Sequence, residues 1–165
     1  APGVSEKRQP EEPAGTMVGR LARAKAEAVA ARRPDAIVLG SDQCLAVADD
    51  VLGKPGNFEA ARAQLRRVAG RSATFYTAVC RVGPGDAAAT TEQVPFTVRF
   101  RDLTVATIEN YLRRDAPYDC AGSLRAEGLG VALLASTEGS DVTALKGLPL
   151  IATTRLLEEA GLTIL

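Results

Sequence analysis

The sequence predicts an α/β fold in which a mixed, twisted sheet is flanked by helices. Strand and helix patterns alternate along the chain, which is typical of this class. Apolar residues occupy every second position of 94–100, the pattern of a half-buried strand. An apolar stripe with the spacing of one helix face runs from Val18 to Val29. These observations favour helices packed against a sheet.

The first elements follow a polar, proline-rich opening. We expect a helix with Thr16 as its N-cap that ends before Pro34. The apolar run Ile37–Leu39 then predicts a buried strand, and the extended run continues through 43–47 to a turn at Asp49-Asp50.

The middle of the chain predicts two helices and two strands. A helix begins at the cap Asn57 and ends at Gly70, and a strand covers 74–82. A strand in 92–103 and a helix capped by Thr104 come next.

The last part predicts a short strand over Val131–Ala135 and a helix that begins at Pro149 and ends at Gly161. Repeats and domain boundaries are not evident. The 165 residues therefore predict a single domain, 1–165, able to bury roughly two-thirds of its unfolded surface.

Composition excludes several classes of function. Twenty basic and twenty acidic residues cancel, which argues against nucleic acid or an anionic membrane as a partner. We find no apolar run near the ~20 residues of a membrane span and no signal peptide. Three dispersed cysteines, Cys44, Cys80 and Cys120, predict reduced thiols in a cytoplasmic protein.

The sequence contains no histidine. This excludes Ser-His-Asp and Cys-His catalysis and histidine metal ligands. Carboxylates are therefore the expected acid–base groups, and a metal would be a hard cation such as Mg²⁺ with oxygen ligands.

Four side chains are candidate site residues, each with a plainer alternative. Asp42 follows Gly40-Ser41 near the predicted end of a strand, where it serves either a ligand or the loop. Lys54 in Gly53-Lys54-Pro55 is either a turn lysine or a contact for an anion. Lys25 lies on the apolar helix face, as a snorkelling side chain or as a cation aimed into a cleft. Glu127 is either a solvent-exposed loop acid or part of a site.

A series of short motifs resembles the Maf family of nucleoside-triphosphate pyrophosphatases. In order along the chain the motifs are GSDQ, GKP, TFYT, FR-L, D-AG, EG-G and GLPL. GSDQ together with AGSLRAEG resembles the bacterial subgroup that acts on 7-methyl-GTP. The resemblance extends from about Val4 to Gly161.

The resemblance implies a two-lobed fold around a cleft and hydrolysis of a nucleotide to its monophosphate and pyrophosphate. It implies Mg²⁺ or Mn²⁺ as cofactor, with Glu6 and Asp42 near the metal and Asp42 as proton acceptor. Lys25 and Lys54 match lysines that face the phosphates. The positions that govern base choice are occupied by Gln43 and Glu127. A nucleotide is the expected partner, and a homodimer is left open.

Two departures from the family pattern bear on these expectations. Ser5 stands in "VSE", where the family has "VDE". Family members also carry a strand and a helix with an S-x-x-R-R motif before this segment, and the sequence begins past that point. We therefore expect a domain without that first strand and helix. The alternative function is a catalytically impaired nucleotide-binding or cell-division (septum) regulatory protein.

Overall fold

The computed structural model describes residues 3–48, 50–85 and 88–165. The α-helices within them are α1 (Ala14–Ala30), α2 (Phe58–Val68), α3 (Val105–Asp115) and α4 (Leu150–Glu159). The strands are β1 (Val38–Val47), β2 (Asp50–Leu52), β3 (Ser72–Val82), β4 (Thr90–Phe100) and β5 (Leu134–Gly139). None of these helices is both long and apolar enough to cross a membrane. The α/β class is confirmed.

The strands form one sheet in the order β2-β1-β3-β4-β5. β1 and β2 pair antiparallel, with Leu45 opposite Leu52. β4 and β5 also pair antiparallel, with Phe96 opposite Gly139 and a register shift between Arg99 and Phe100.

The chain divides into two compact units. The first comprises the chain up to Gln43, Tyr76–Pro95 and Asp141–Leu165, and the second comprises Cys44–Phe75 and Phe96–Ser140. The earlier expectation of a single domain over 1–165 remains a prediction.

Each unit has its own buried apolar residues. In the first unit, α4 contributes Ala152 and Leu156 to a cluster with Val79, Val94 and Ala144. In the second unit, α2 packs against α3. Burial of these faces is the main favourable contribution to folding.

Helix boundaries were predicted well where a side chain caps the helix. Asn57 accepts a hydrogen bond from the Ala60 amide at 2.9 Å, and Thr104 accepts one from the Thr107 amide at 3.1 Å. The predicted Thr16 cap is wrong, because α1 already begins at Ala14 with Pro13 as N-cap. Proline fixes φ near the value that a helix needs, which makes it common at the start of a helix, and Pro13 has φ −60° here.

The strand predicted at Val131–Ala135 is misplaced. Residues Leu129–Leu133 form a 3-10 helix, and β5 begins only at Leu134. A short apolar run does not distinguish these conformations. Backbone pairing with β4 decides the outcome, and the mostly polar side chains of β5 do not signal it.

The predicted turn at Asp49-Asp50 is only partly visible. Asp49 lies outside the described residues, whereas Asp50 begins β2 and forms an ion pair with Arg67. The predicted apolar stripe of α1 extended to Val29. The side chain of Val29 is 37% exposed, so the buried part of the stripe ends before it.

An ion pair fastens the N-terminal segment onto α1. The side chain of Glu12 is only 5% exposed, and its two carboxylate oxygens accept bonds from Nε and Nη2 of Arg20 at 2.6 and 2.7 Å. Glu12 also accepts a bond from the Gln9 amide at 3.0 Å, and Arg20 Nη2 reaches the Lys7 carbonyl at 3.2 Å. These contacts fix the segment that carries Glu6.

Glycine is required at position 40, where β1 passes close to α1. A Cβ added at Gly40 would lie 2.4 Å from the Ala22 carbonyl oxygen and 2.6 Å from the Ala26 amide nitrogen. Both are backbone atoms of a helix and cannot move away easily. Gly40 therefore sets the distance between α1 and β1.

We predict that Glu12 makes stability depend on pH in the acid range. The hydrogen bonds from Arg20 lower the pKa of Glu12 from 4.5 to about 2. Its contribution is therefore complete above pH 4.5 and is lost as the pH falls towards 2. Urea unfolding should show that wild-type protein loses stability more steeply across this window than Glu12→Gln.

The matched control is Glu27→Gln. Glu27 is an exposed acid on α1 that is paired with Arg23. The Glu27→Gln variant should lose stability between pH 4.5 and 2 as steeply as the wild-type protein. Parallel pH profiles for wild type and Glu12→Gln would contradict the role given to Glu12.

We also predict that Gly40→Ala lowers the free energy of unfolding by about 1–3 kcal/mol, because α1 must shift away from β1. Gly19→Ala is the control, since nothing lies within 4 Å of a Cβ at that helical position. It should leave stability unchanged or raise it by up to about 1 kcal/mol. Equal midpoints for both variants in denaturant unfolding would refute the close approach.

Candidate active site

One lysine joins two acids in the first unit. Lys25 Nζ lies 2.5 Å from Asp42 Oδ1 and 2.7 Å from Glu6 Oε1. The side chains of Lys25 and Asp42 are 20% and 11% exposed, whereas Glu6 is 61% exposed. The ammonium group of Lys25 therefore contacts neighbouring acids, while the choice between a snorkelling side chain and a cation aimed into a cleft stays open. We call Glu6, Lys25 and Asp42 the acid–lysine cluster.

The charge of Lys25 is maintained by these two acids. Burial by itself disfavours the ammonium form, but the hydrogen bonds to Asp42 and Glu6 outweigh it and raise the pKa of Lys25 above its usual value. The ammonium group is therefore charged at neutral pH.

The close packing of α1 on β1 builds the cluster. Side chains of a strand alternate between its two faces, so Gly40 and Asp42 share the face that meets α1. Lys25 directly precedes Ala26, whose backbone touches Gly40. The expected position of Asp42 at the end of a strand is wrong, because β1 continues to Val47.

Gln43 projects to the opposite face of β1 from Asp42. Its Nε2 donates to Thr77 Oγ1 at 2.9 Å and to the Ala144 carbonyl at 2.6 Å. Both amide hydrogens are therefore used inside the first unit, and only Oε1 remains to contact a ligand. The assignment of Gln43 to base choice stays a prediction.

Thr77 fixes this orientation of Gln43. It is completely buried, and its hydroxyl lies 3.0 Å from the Ala144 carbonyl while it accepts the bond from Gln43. Sequence reasoning missed Thr77 as a partner of Gln43. The TFYT motif contains Thr77, but it does not indicate that Thr77 contacts Gln43.

Lys54 and Glu127 lie in the second unit. Both are exposed, and neither makes a hydrogen bond or an ion pair with the residues that the structure describes. The loop around Lys54 is nevertheless fixed on both sides. The Gly53 carbonyl accepts a hydrogen bond from the Gly122 amide at 3.2 Å, and the Gly56 amide donates to the Tyr118 backbone carbonyl at 2.9 Å.

Glu127 occupies a turn that connects to the 3-10 helix Leu129–Leu133. The amides of Gly128 and Gly130 both donate to the Arg125 carbonyl at 3.2 Å. A Cβ added at Gly130 would collide with the Arg125 carbonyl, and one at Gly128 would lie 2.7 Å from both carboxylate oxygens of Asp115. The carboxylate of Glu127 is thus presented on a defined backbone.

The oxygen donors of the acid–lysine cluster come from two carboxylates. No group of three or more acidic or cysteine side chains suitable for a metal occurs in residues 3–48, 50–85 and 88–165. Mg²⁺ is commonly held by one or two carboxylates together with substrate phosphates. Glu6 and Asp42 fit that mode of binding.

Comparison with known proteins identifies relatives across the whole chain. A family model described as "Maf-like protein" matches residues 1–160. A protein of Nitrosococcus oceani named 7-methyl-GTP pyrophosphatase is 47% identical over 165 residues, which are 100% of this chain and 83% of the relative. A protein of the same name from Alkalilimnicola ehrlichii is 52% identical over 148 residues, 90% of this chain and 74% of the relative. The chain belongs to the Maf family.

Proposed function

We propose that this chain hydrolyses 7-methyl-GTP, or a related modified nucleoside triphosphate, to the monophosphate and pyrophosphate. The observation that carries the proposal is the acid–lysine cluster, in which a charged lysine meets two carboxylates. The two relatives named 7-methyl-GTP pyrophosphatase, 47% and 52% identical to this chain, support the same reaction. The reaction would remove modified nucleotides in a house-cleaning role. Cys44, Cys80 and Cys120 are not joined in disulfides, which supports the proposed cytoplasmic location.

Lys25 can serve the phosphates while it holds both acids. An ammonium group has three N–H donors, and Asp42 and Glu6 take two of them. The third can bind a phosphate oxygen. Negative charge accumulates on the departing pyrophosphate, and a fixed cation stabilises that charge as it develops.

Asp42 is the proposed proton acceptor. A water oxygen forms a bond to the α-phosphorus as the bond between that phosphorus and the bridging oxygen to the β-phosphate breaks. Pyrophosphate leaves with the bridging oxygen, and Asp42 takes the proton of the attacking water. The contact with Lys25 and the 11% exposure of Asp42 hold this carboxylate in one position.

Glu6 and Asp42 are the residues that would hold Mg²⁺ or Mn²⁺. Such a cation would supply positive charge to the triphosphate when bound. Glu6 is well suited to an exchangeable ligand, because 61% of its side chain is open to solvent.

Base and phosphate contacts are proposed for the second unit. Glu127 can accept hydrogen bonds from the N1 and N2 donors of guanine, and its charge favours a base made cationic by N7 methylation. Lys54 can bind a phosphate. Because Lys54 and Glu127 have no bonds to other described residues, a ligand can engage them without breaking internal contacts. For Gln43 we propose an acceptor role through Oε1 alone.

The regulatory alternative gains no support from the comparisons, whose relatives carry the name of an enzyme. Calorimetric titration of 7-methyl-GTP together with a turnover assay separates the two functions. Binding without hydrolysis would favour the alternative.

We predict that Asp42→Asn lowers pyrophosphate release from 7-methyl-GTP with Mg²⁺ or Mn²⁺ by about a hundredfold or more, because the proton acceptor is lost. Asp35→Asn is the control, since Asp35 is 75% exposed and lies outside the cluster. It should retain wild-type turnover. Undiminished turnover in Asp42→Asn, with the protein folded, would exclude Asp42 as the acceptor.

We predict that Glu127→Gln narrows the preference for 7-methyl-GTP over UTP, because the amide loses the charge and half of the acceptor capacity of the carboxylate. The measurement is the ratio of kcat/KM for the two substrates, expected to fall about tenfold or more. Glu138→Gln, at an exposed position on β5 of the same unit, should leave the ratio unchanged. If both variants rank the substrates as wild type does, Glu127 does not select the base.

A further inference from the structure

The second unit contains a pocket that includes none of the proposed site residues. It lies beside α3 and the 3-10 helix Leu129–Leu133 and has a volume of about 220 Å³. A water molecule occupies about 30 Å³ in the liquid, so the pocket has room for a small organic molecule. Arg101 and Arg114 contribute the charged side chains of its lining.

Positive charge dominates this pocket. Within residues 3–48, 50–85 and 88–165 no acidic side chain lines it, and the acids of α3 are engaged elsewhere. Glu109 is paired with Arg62 and Arg113. Asp115 accepts the Leu129 amide at 3.0 Å and lies 3.6 Å from Arg125. The charged side chains of the described lining are therefore two arginines.

Asp102, the neighbour of Arg101 in the sequence, is also turned away. Its Oδ1 would lie 2.4 Å from a Cβ at Gly70, which places this carboxylate against the end of α2 and not in the pocket lining.

One arginine is fixed and the other is available. Arg101 Nη1 donates to the Ala132 carbonyl at 2.8 Å, and the Arg101 backbone amide donates to the Leu133 carbonyl at 2.9 Å. The Arg114 side chain makes no hydrogen bond or ion pair with any residue in the described part of the chain. Its five N–H donors are free to bind an incoming anion.

The rest of the lining combines polar and apolar groups. Thr107 and Asn110 offer a hydroxyl and an amide, whereas Leu129, Leu133 and the ring of Tyr111 are apolar. Tyr111 is held in place, because its hydroxyl donates to the Ser123 carbonyl at 3.1 Å and accepts the Arg125 amide at 2.9 Å. The part of the pocket wall formed by Tyr111 is thus fixed before a ligand binds.

We propose that this pocket binds a small phosphate monoester that carries an apolar group. Two guanidinium groups match the charge of a phosphate monoester, which is close to −2 at neutral pH, better than that of a monoanionic carboxylate. The apolar side chains take up the body of the ligand. This site is additional to the proposed pyrophosphatase activity.

The test is calorimetric titration of the full chain with phenyl phosphate, with inorganic phosphate and benzoate as comparison probes. Phenyl phosphate should bind most tightly, and its affinity should fall at least tenfold in Arg114→Gln. Arg113→Gln is the matched control. It removes the same charge from the preceding residue of α3, where the guanidinium is paired with Glu109. Arg113→Gln should change the affinity for phenyl phosphate less than twofold.

The location is checked by backbone amide chemical shifts, which should move in residues 107–114 on addition of phenyl phosphate. Pyrophosphate release from 7-methyl-GTP should be the same in Arg114→Gln as in wild type, which separates this site from the proposed active site. Absence of phenyl phosphate binding, equal affinity in both variants, benzoate binding as tight as phenyl phosphate, or shifts confined to residues away from the pocket lining would each overturn the proposal.

Discussion

The candidate site depends on the ion pairs that the ammonium group of Lys25 forms with Asp42 and Glu6. Two carboxylates, Asp42 and Glu6, approach the same point in the first unit and would repel each other without a cation between them. Lys25 joins helix α1, strand β1 and the N-terminal segment in a single contact. Because Lys25 and Asp42 are largely removed from water, this attraction is screened less than a surface ion pair would be.

Two features outside the cluster make this arrangement rigid. Gly40 lets β1 approach the backbone of α1, which brings Asp42 within reach of Lys25. The bidentate pair of Glu12 with Arg20 then holds the N-terminal segment on the same helix, although that segment has almost no secondary structure of its own. The Glu12–Arg20 ion pair therefore helps to hold the segment that carries Glu6.

Local signals allowed much of the fold to be predicted from sequence. The caps Asn57 and Thr104 and the alternation in β4 depend on neighbours a few residues away, and the structure confirms them. The candidate residues Lys25 and Asp42 were also found, but their contact joins residues 17 positions apart. Helical spacing placed Lys25 on the apolar face of α1 without naming its partner.

Long-range contacts could not be predicted in this way. The amide of Gln43 reaches the Ala144 carbonyl, 101 residues further along the chain, and no local pattern around Gln43 indicates this partner. β5 owes its place to backbone pairing with β4, and its side chains carry little strand pattern. Such contacts are decided by the packing of distant segments, which a single sequence read locally does not contain.

The central claim is that Lys25 and Asp42 act as one unit during hydrolysis. A double-mutant cycle on kcat for 7-methyl-GTP, with Lys25→Met, Asp42→Asn and the combined variant, measures this coupling directly. If the two residues act together, the combined variant should be about as slow as the slower single variant, because the first substitution already disables the pair. Losses that multiply in the combined variant would show that the residues act independently and would contradict the account.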